Sequence, residues 1–197
     1  MIRINGVEQP VSSEQIIFED FVSDLNKTLN AEQLVISSIL VNGREISESD
    51  ESALKRLPVG DLGDIDVFTA KPQDLAYETL NTLEQYIDRM VISIERAATH
   101  YKAKNLITGD AYFAKSIEGL DLFVQTIGGV KLALRIGLNP KIGLTEATLV
   151  SIMNDLLDAK RQNNYIFLAE LLEKDLVSNL KEWKDDVFPL FRNWKAN

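Results

Sequence analysis

The sequence predicts an α+β protein in which a small strand-rich unit is followed by an antiparallel bundle of four helices. Three observations carry that expectation. Apolar residues alternate with the two-residue period of strands over the first third, broken by two Asn-Gly pairs. Beyond Pro72 the period becomes helical and stays so. Lys71-Pro72 supplies the boundary, because proline suits the first turn of a helix and disfavours helical geometry in the residue before it. The expected units are residues 1–71 and 72–197.

Ile2 and Ile4 point one way and Arg3 and Asn5 the other, and Asn5-Gly6 offers the positive φ angles of a tight hairpin. A second strand is expected from Pro10 to Ile16. Ile17, Phe18, Phe21, Val22 and Leu25 then recur at helical spacing, predicting a helix of about 12 residues. A strand from Ile36 to Val41 meets Asn42-Gly43 and returns through Arg44, Glu45 and Ile46. The acidic segment Ser47–Glu51 and a helical-looking Ser52–Leu57 lead to a last strand, Asp64–Thr69. This ββαββ order is that of the β-grasp. With its hairpin start, its helix, its "VNG" hairpin and "LPVGDLGDIDVF" before the last strand, the stretch resembles the ubiquitin-like sulfur carriers of thiamin and molybdopterin synthesis. The resemblance covers residues 1–70 only. It implies a ubiquitin-like fold, and in that family a C-terminal Gly-Gly carboxylate is adenylated and thiolated. Here Phe68-Thr69-Ala70 runs on into Lys71-Pro72, and the only Gly-Gly, Gly128-Gly129, lies inside a helical stretch. The shape is expected without the sulfur chemistry.

In the second unit Leu80, Leu83, Ile87, Met90, Ile94, Ala97 and Tyr101 form one stripe, predicting a helix from Asp74 to Lys104 that stops before Thr108-Gly109-Asp110. Phe113, Ile117, Leu120, Val124, Ile127, Val130 and Leu134 predict another from Ala111 to Arg135. Gly137, Asn139, Pro140 and Gly143 make a break, and Thr145 is the expected cap of a shorter third helix through Leu149, Ile152, Met153, Leu156 and Leu157. Arg161-Gln162-Asn163-Asn164 interrupts. A fourth helix runs from Tyr165 through Leu168, Leu172, Leu176, Leu180, Trp183 and Val187 to Pro189. Short connections favour antiparallel packing. Gly128-Gly129 costs roughly 1 kcal/mol per glycine relative to alanine in a helix, which close packing or a conformational need should offset.

Composition narrows the chemistry. With no cysteine, the chain has no disulfide, zinc-thiolate, iron–sulfur or cysteine-nucleophile chemistry. No apolar run approaches the roughly 20 residues of a membrane span, and "MIRINGVEQP" has no basic start or apolar h-region, so a cytoplasmic protein is expected. The net charge is -9, with six Lys/Arg against thirteen Asp/Glu in residues 1–72 and fifteen against seventeen beyond them. Such acidity repels phosphate backbones, so nucleic acid is not an expected partner.

Catalytic patterns fail one by one. A di-iron bundle needs Glu-x-x-His on two helices, whereas the lone histidine, His100, has Ala97 three residues before it. A serine triad would need that same histidine. Asp61, Asp64 and Asp66 in "DLGDID" miss the calcium-loop spacing, with Asp66 at its sixth place and Pro72 at its twelfth. Gly137 and Gly143 flank "LNPKI" without the ending of a phosphate-binding loop. No enzyme, metal or cofactor is expected.

The expected function is therefore a non-enzymatic, protein-binding adaptor or chaperone-like module, bacterial and cytoplasmic, taking another protein or a peptide segment. In length, acidity and helical content the second unit is similar to small flagellar and type III export chaperones, a likeness at fold level alone. "EWKDDVFPLFRNW" concentrates Trp183, Phe188, Phe191 and Trp194 as a candidate partner surface. The alternative is that Trp183 and Val187 finish the last stripe while Phe188, Phe191 and Trp194 close the bundle's end. The rival function is a small-molecule or catalytic pocket where the two parts meet. A homo-oligomer pairing through Leu80–Tyr101 is a third.

Overall fold

A computed structural model describes residues 1–10 and 15–194. The protein is α+β: a five-stranded sheet precedes a long series of helices. The chain separates into two compact units, Met1–Leu75 and Ala76–Asn197.

In the first unit β1 (Ile2–Ile4), β2 (Val7–Gln9), β3 (Val35–Val41), β4 (Arg44–Glu45) and β5 (Ile65–Ala70) lie in the order β2-β1-β5-β3-β4. β1 and β5 pair in parallel, Ile2 opposite Ile65, and the other pairings are antiparallel. Both Asn-Gly turns form as their residues dictate, with φ of 49° and 78° at Asn5 and Gly6 and 51° and 76° at Asn42 and Gly43. The second strand starts earlier than Pro10–Ile16: it leaves the turn at once and ends before Pro10, which has no N–H to donate, while positions 11–14 lie outside the described residues. Helix α1 (Phe18–Ala31) gives Phe18, Leu25 and Leu29 to a core shared with Ile2, Ile39, Val59, Leu62, Ile65 and Val67.

Helix α2 (Glu48–Leu54) also begins earlier than Ser52, because Ser47 and Asp50 cap each other's backbone reciprocally. A 3-10 turn, Val59–Leu62, then leads to Gly63 at φ 80°. Asn42 fastens this turn: its Oδ1 accepts from the Asp64 amide at 3.0 Å and its Nδ2 donates to the Leu62 carbonyl at 2.9 Å.

The second unit contains α3 (Pro72–Lys102, which starts in the first), α4 (Leu106–Ala133) and α5 (Pro140–Arg161). A last helical run follows: α6 (Tyr165–Glu170), a π-helical turn Leu171–Leu176, α7 (Val177–Glu182), a second π-helical turn Trp183–Val187, and α8 (Phe188–Arg192). The π turns answer a pattern in the sequence. Leu168, Leu172, Leu176 and Leu180 step by four, and each such step drifts about 40° around an α-helix of 3.6 residues per turn. Widening to i→i+5 bonding takes up that drift, so all four are buried.

Several helix ends differ from expectation. Thr108-Gly109-Asp110 does not break the chain; the turn is earlier, with Lys104 at φ 59°, and the Asn105 side chain caps α4. Gly109 serves close packing, since a Cβ there would lie 2.8 Å from the Tyr101 ring. α5 starts at Asn139-Pro140 with Asn139 as its cap, and Thr145 is instead buried, its hydroxyl donating to the Lys141 carbonyl at 3.0 Å. Pro189 does not stop the last run but is the second residue of α8, directly after the second π-helical turn.

Candidate functional site

In the second unit a groove of about 1100 Å³ lies between α4 and α5. Its floor is Phe123, Ile127, Leu149 and Trp183, all buried. Its rims carry large apolar side chains left in the open: Val124 and Leu132 from α4, Val150 and Leu157 from α5. Leu132 is 81% exposed.

The reason is a second apolar stripe on α4. The fully buried stripe runs Phe113, Ser116, Leu120, Phe123, Ile127, Val130 and Leu134; of the expected stripe, Ile117 packs half-buried against this core and Val124 is exposed. Ser116 joins the core because its hydroxyl donates to the Tyr112 carbonyl at 2.8 Å, satisfying it in place. Val124, Gly128 and Leu132 are thereby displaced onto the groove. No atom lies within 4 Å of a Cβ built at Gly128 or Gly129, so close helix packing does not account for the pair. At Gly128 the missing side chain instead deepens the groove wall.

Charge is confined to the groove's ends. At one, Lys131 and Glu146 pair across it at 2.6 Å, and Arg135, exposed beyond the end of α4, makes no ion pair among the described residues. At the other, Asp121 accepts from Gln125 at 2.7 Å, with Asn154 on the facing helix. No serine, threonine, histidine or tyrosine is among the residues lining the groove.

Three of the four aromatic residues read from the sequence as a partner surface are core. Trp183 is 1% exposed and Phe188 and Phe191 are 0%. Trp183 meets Phe123 edge-on at 5.4 Å and Phe191 at 6.4 Å, and packing these large apolar rings together removes more surface from water than leaving them open. Trp194 is half-buried, 3.4 Å from where a Cβ on Gly137 would sit. Trp183 is thus groove floor, and its indole N–H is buried without a hydrogen-bond partner.

The titratable candidates go elsewhere. His100 stacks on Tyr112 with ring centroids 5.6 Å apart. Asp66 is gripped by both ends of the Arg3 guanidinium, at 2.5 and 2.8 Å, and that hydrogen bonding holds its carboxyl below the usual range. Asp64 lies 3.9 Å from the same guanidinium. Among the described residues no three histidine, aspartate or glutamate side chains are grouped to hold a metal ion. The most perturbed group is Tyr101, whose hydroxyl is pushed far up by burial and by donating to Asp110 at 2.7 Å. Lys160 binds the same carboxylate and lies over the rings of Tyr101 and Tyr165, so this cluster ties helix ends together.

A family described as Domain of unknown function (DUF8042) matches residues 78–186, more than half of the chain, and the protein belongs to it. The match falls within the helical unit and contains the whole groove. No curated protein and no solved structure matches the chain. No helix among the described residues is long and apolar enough to cross a membrane.

Proposed function

We propose that the protein is a non-enzymatic adaptor with a chaperone-like groove: a β-grasp unit joined to a four-helix bundle, whose α4–α5 groove receives the apolar face of an amphipathic helix from a partner protein. The strand order, with one parallel pair at the centre of the sheet and a helix between the two hairpins, supports the first part of this reading. Four helical segments around one apolar core support the second.

The groove carries the functional part. From Asp121 to Arg135 it runs along about 20 Å of helix at 1.5 Å per residue, the length of a partner helix of about 14 residues. Apolar side chains at i, i+3, i+4 and i+7 of such a helix would cover Val124, Leu132, Val150 and Leu157. Arg135 and Asp121 at opposite ends call for an acidic residue at one end of the partner and a basic residue at the other. The bare Gly128 backbone admits close approach at the middle.

The test is fluorescence anisotropy with a labelled 14-residue amphipathic peptide carrying that charge arrangement, beside the same peptide with its end charges exchanged. The first should bind with a dissociation constant of about 1–50 μM. Val150→Glu should abolish binding, and the exchanged peptide should bind more weakly. Dodecanoate filling the groove while neither peptide binds would replace the adaptor with a carrier of small amphiphiles.

A further inference from the structure

We infer that a second cleft, walled by α3 and α4 and separate from the groove, binds a small phosphate ester carrying two or more negative charges. The cleft has a volume of about 380 Å³ and takes Arg89, Ser93 and Arg96 from α3 and Lys115 and Ser116 from α4.

Its cations are gathered in one place without a carboxylate partner among the described residues, which sets the cleft apart from isolated unpaired cations such as Arg135. The chain carries a net charge of -9, and several lysines and arginines of this unit reach across to carboxylates of other elements: Lys102 to Glu173, Lys131 to Glu146, Lys184 to Asp88, Arg192 to Glu84. Arg89, Arg96 and Lys115 make no ion pair among the described residues, although acid is in excess, and all three line the same cleft. Like charges gathered without a counter-charge repel one another, and a bound anion removes that cost.

Geometry lets them converge. Arg89 and Arg96 are two turns apart on α3, about 10 Å, with Ser93 between them. α4 passes in the opposite sense: the Tyr86 hydroxyl donates to the Gly119 carbonyl at 3.1 Å at one end, and Arg96 lies over the Tyr112 ring, 5.8 Å from its centroid, at the other. Lys115 and Ser116 therefore fall opposite Ser93. The approach at the Tyr86 end depends on glycine, since a Cβ at Gly119 would stand 3.0 Å from the Tyr86 hydroxyl.

Two further features point to a ligand. The Ser93 hydroxyl is buried with no hydrogen-bond partner, so donating to a ligand oxygen after rotation about χ1 adds a bond instead of exchanging one. The volume exceeds what a bare phosphate fills and lies within the usual range for small-ligand sites. Guanidinium forks and an ammonium suit phosphate oxygens, while Tyr86, Tyr112 and Ile92 offer apolar surface to an organic body.

Isothermal titration of the full chain with inorganic pyrophosphate and with adenosine diphosphate, in low salt with EDTA, tests the assignment. Saturable binding is expected for both, tighter for adenosine diphosphate and weakening as salt is added. Arg89→Gln combined with Lys115→Gln should weaken it by about tenfold or more, since each removes a charge-assisted bond, and Ser93→Ala by several-fold. All of these cleft substitutions should leave the melting curve near wild type, because the two charged side chains are exposed and the serine change is small. The groove substitution Val150→Glu should leave anion binding unchanged, which separates this cleft from the adaptor reading. No saturable heat with either anion up to about 5 mM, a range that includes weak metabolite binding, would overturn the proposal. Undiminished binding by the double variant would do the same. Equal affinity for the two anions would overturn the organic-ester class.

Discussion

Helix α4 holds four glycines in different surroundings, and replacing them one at a time by alanine should move stability in opposite directions. Alanine is favoured over glycine in a helix interior by about 0.8–1 kcal/mol, mostly through the entropy of the unfolded chain. At Gly128 and Gly129 a new methyl meets nothing within 4 Å, so that gain should appear almost whole. At Gly109 the methyl would lie 2.8 Å from Tyr101, a ring 1% exposed and stacked on Tyr165 at 5.4 Å. The ring cannot swing away, and overpacking of this kind costs about 1–3 kcal/mol, which outweighs the helical gain. Gly119→Ala should fall between, because the Tyr86 hydroxyl and Met90 sulfur at 3.0 and 3.3 Å can yield a little. Thermal unfolding followed by tryptophan fluorescence measures all four, as Trp183 is buried in the same unit. Gly128→Ala and Gly129→Ala should each raise the melting temperature by about 3–6 °C, scaling from roughly 1 kcal/mol in a unit of this size. Gly109→Ala should lower it. If the Gly129 variant were destabilised, or the Gly109 variant as stable as wild type, the packing assigned to α4 would be wrong.

Two further substitutions probe other parts of the molecule. Gly43→Val should cost about 1–3 kcal/mol by equilibrium denaturation, through backbone strain alone, because φ is 76° and the space around the site is open. Asp110→Asn should lower stability at neutral pH and lose that effect in acid. Burial pushes the Asp110 carboxyl up, but hydrogen bonds from Lys160 and Tyr101 outweigh it and hold the group below its ordinary value. The stabilisation is therefore complete above the ordinary carboxylate pKa of about 4 and is lost as pH falls through the lower folded value. The gap between wild-type and variant urea midpoints should narrow from pH 5 downward.

The two turns and, apart from β2, the strands of the first unit were legible because their signals are local: an Asn-Gly pair fixes its own φ angles, and alternation survives whatever packs above it. Helix ends were less so. Ser47-x-x-Asp50 caps like Ser-x-x-Glu but with a shorter acid, and Asn139-Pro140 reads equally as a break or as a cap followed by a first helical residue. The aromatic tail was ambiguous for another reason. Large rings suit a core and a binding surface alike, and only tertiary contact places Trp183, Phe188 and Phe191 inside.

The groove and the cleft were hidden more deeply, because each is a deficit. On α4, Val124 mimics a core position, while the fully buried stripe passes through Ser116, a polar residue that pattern reading discards. Choosing between the stripes needs the ring of Trp183, which arrives from the last helical run to cover Phe123 and leaves Val124 open. The three cations of the cleft are ordinary in sequence, since exposed arginine and lysine on a helix need no explanation. They become informative only when the helices are in place and the neighbouring lysines are seen to have found carboxylates that these did not. Partnership is a property of the assembled surface, and the composition of either helix alone does not contain it.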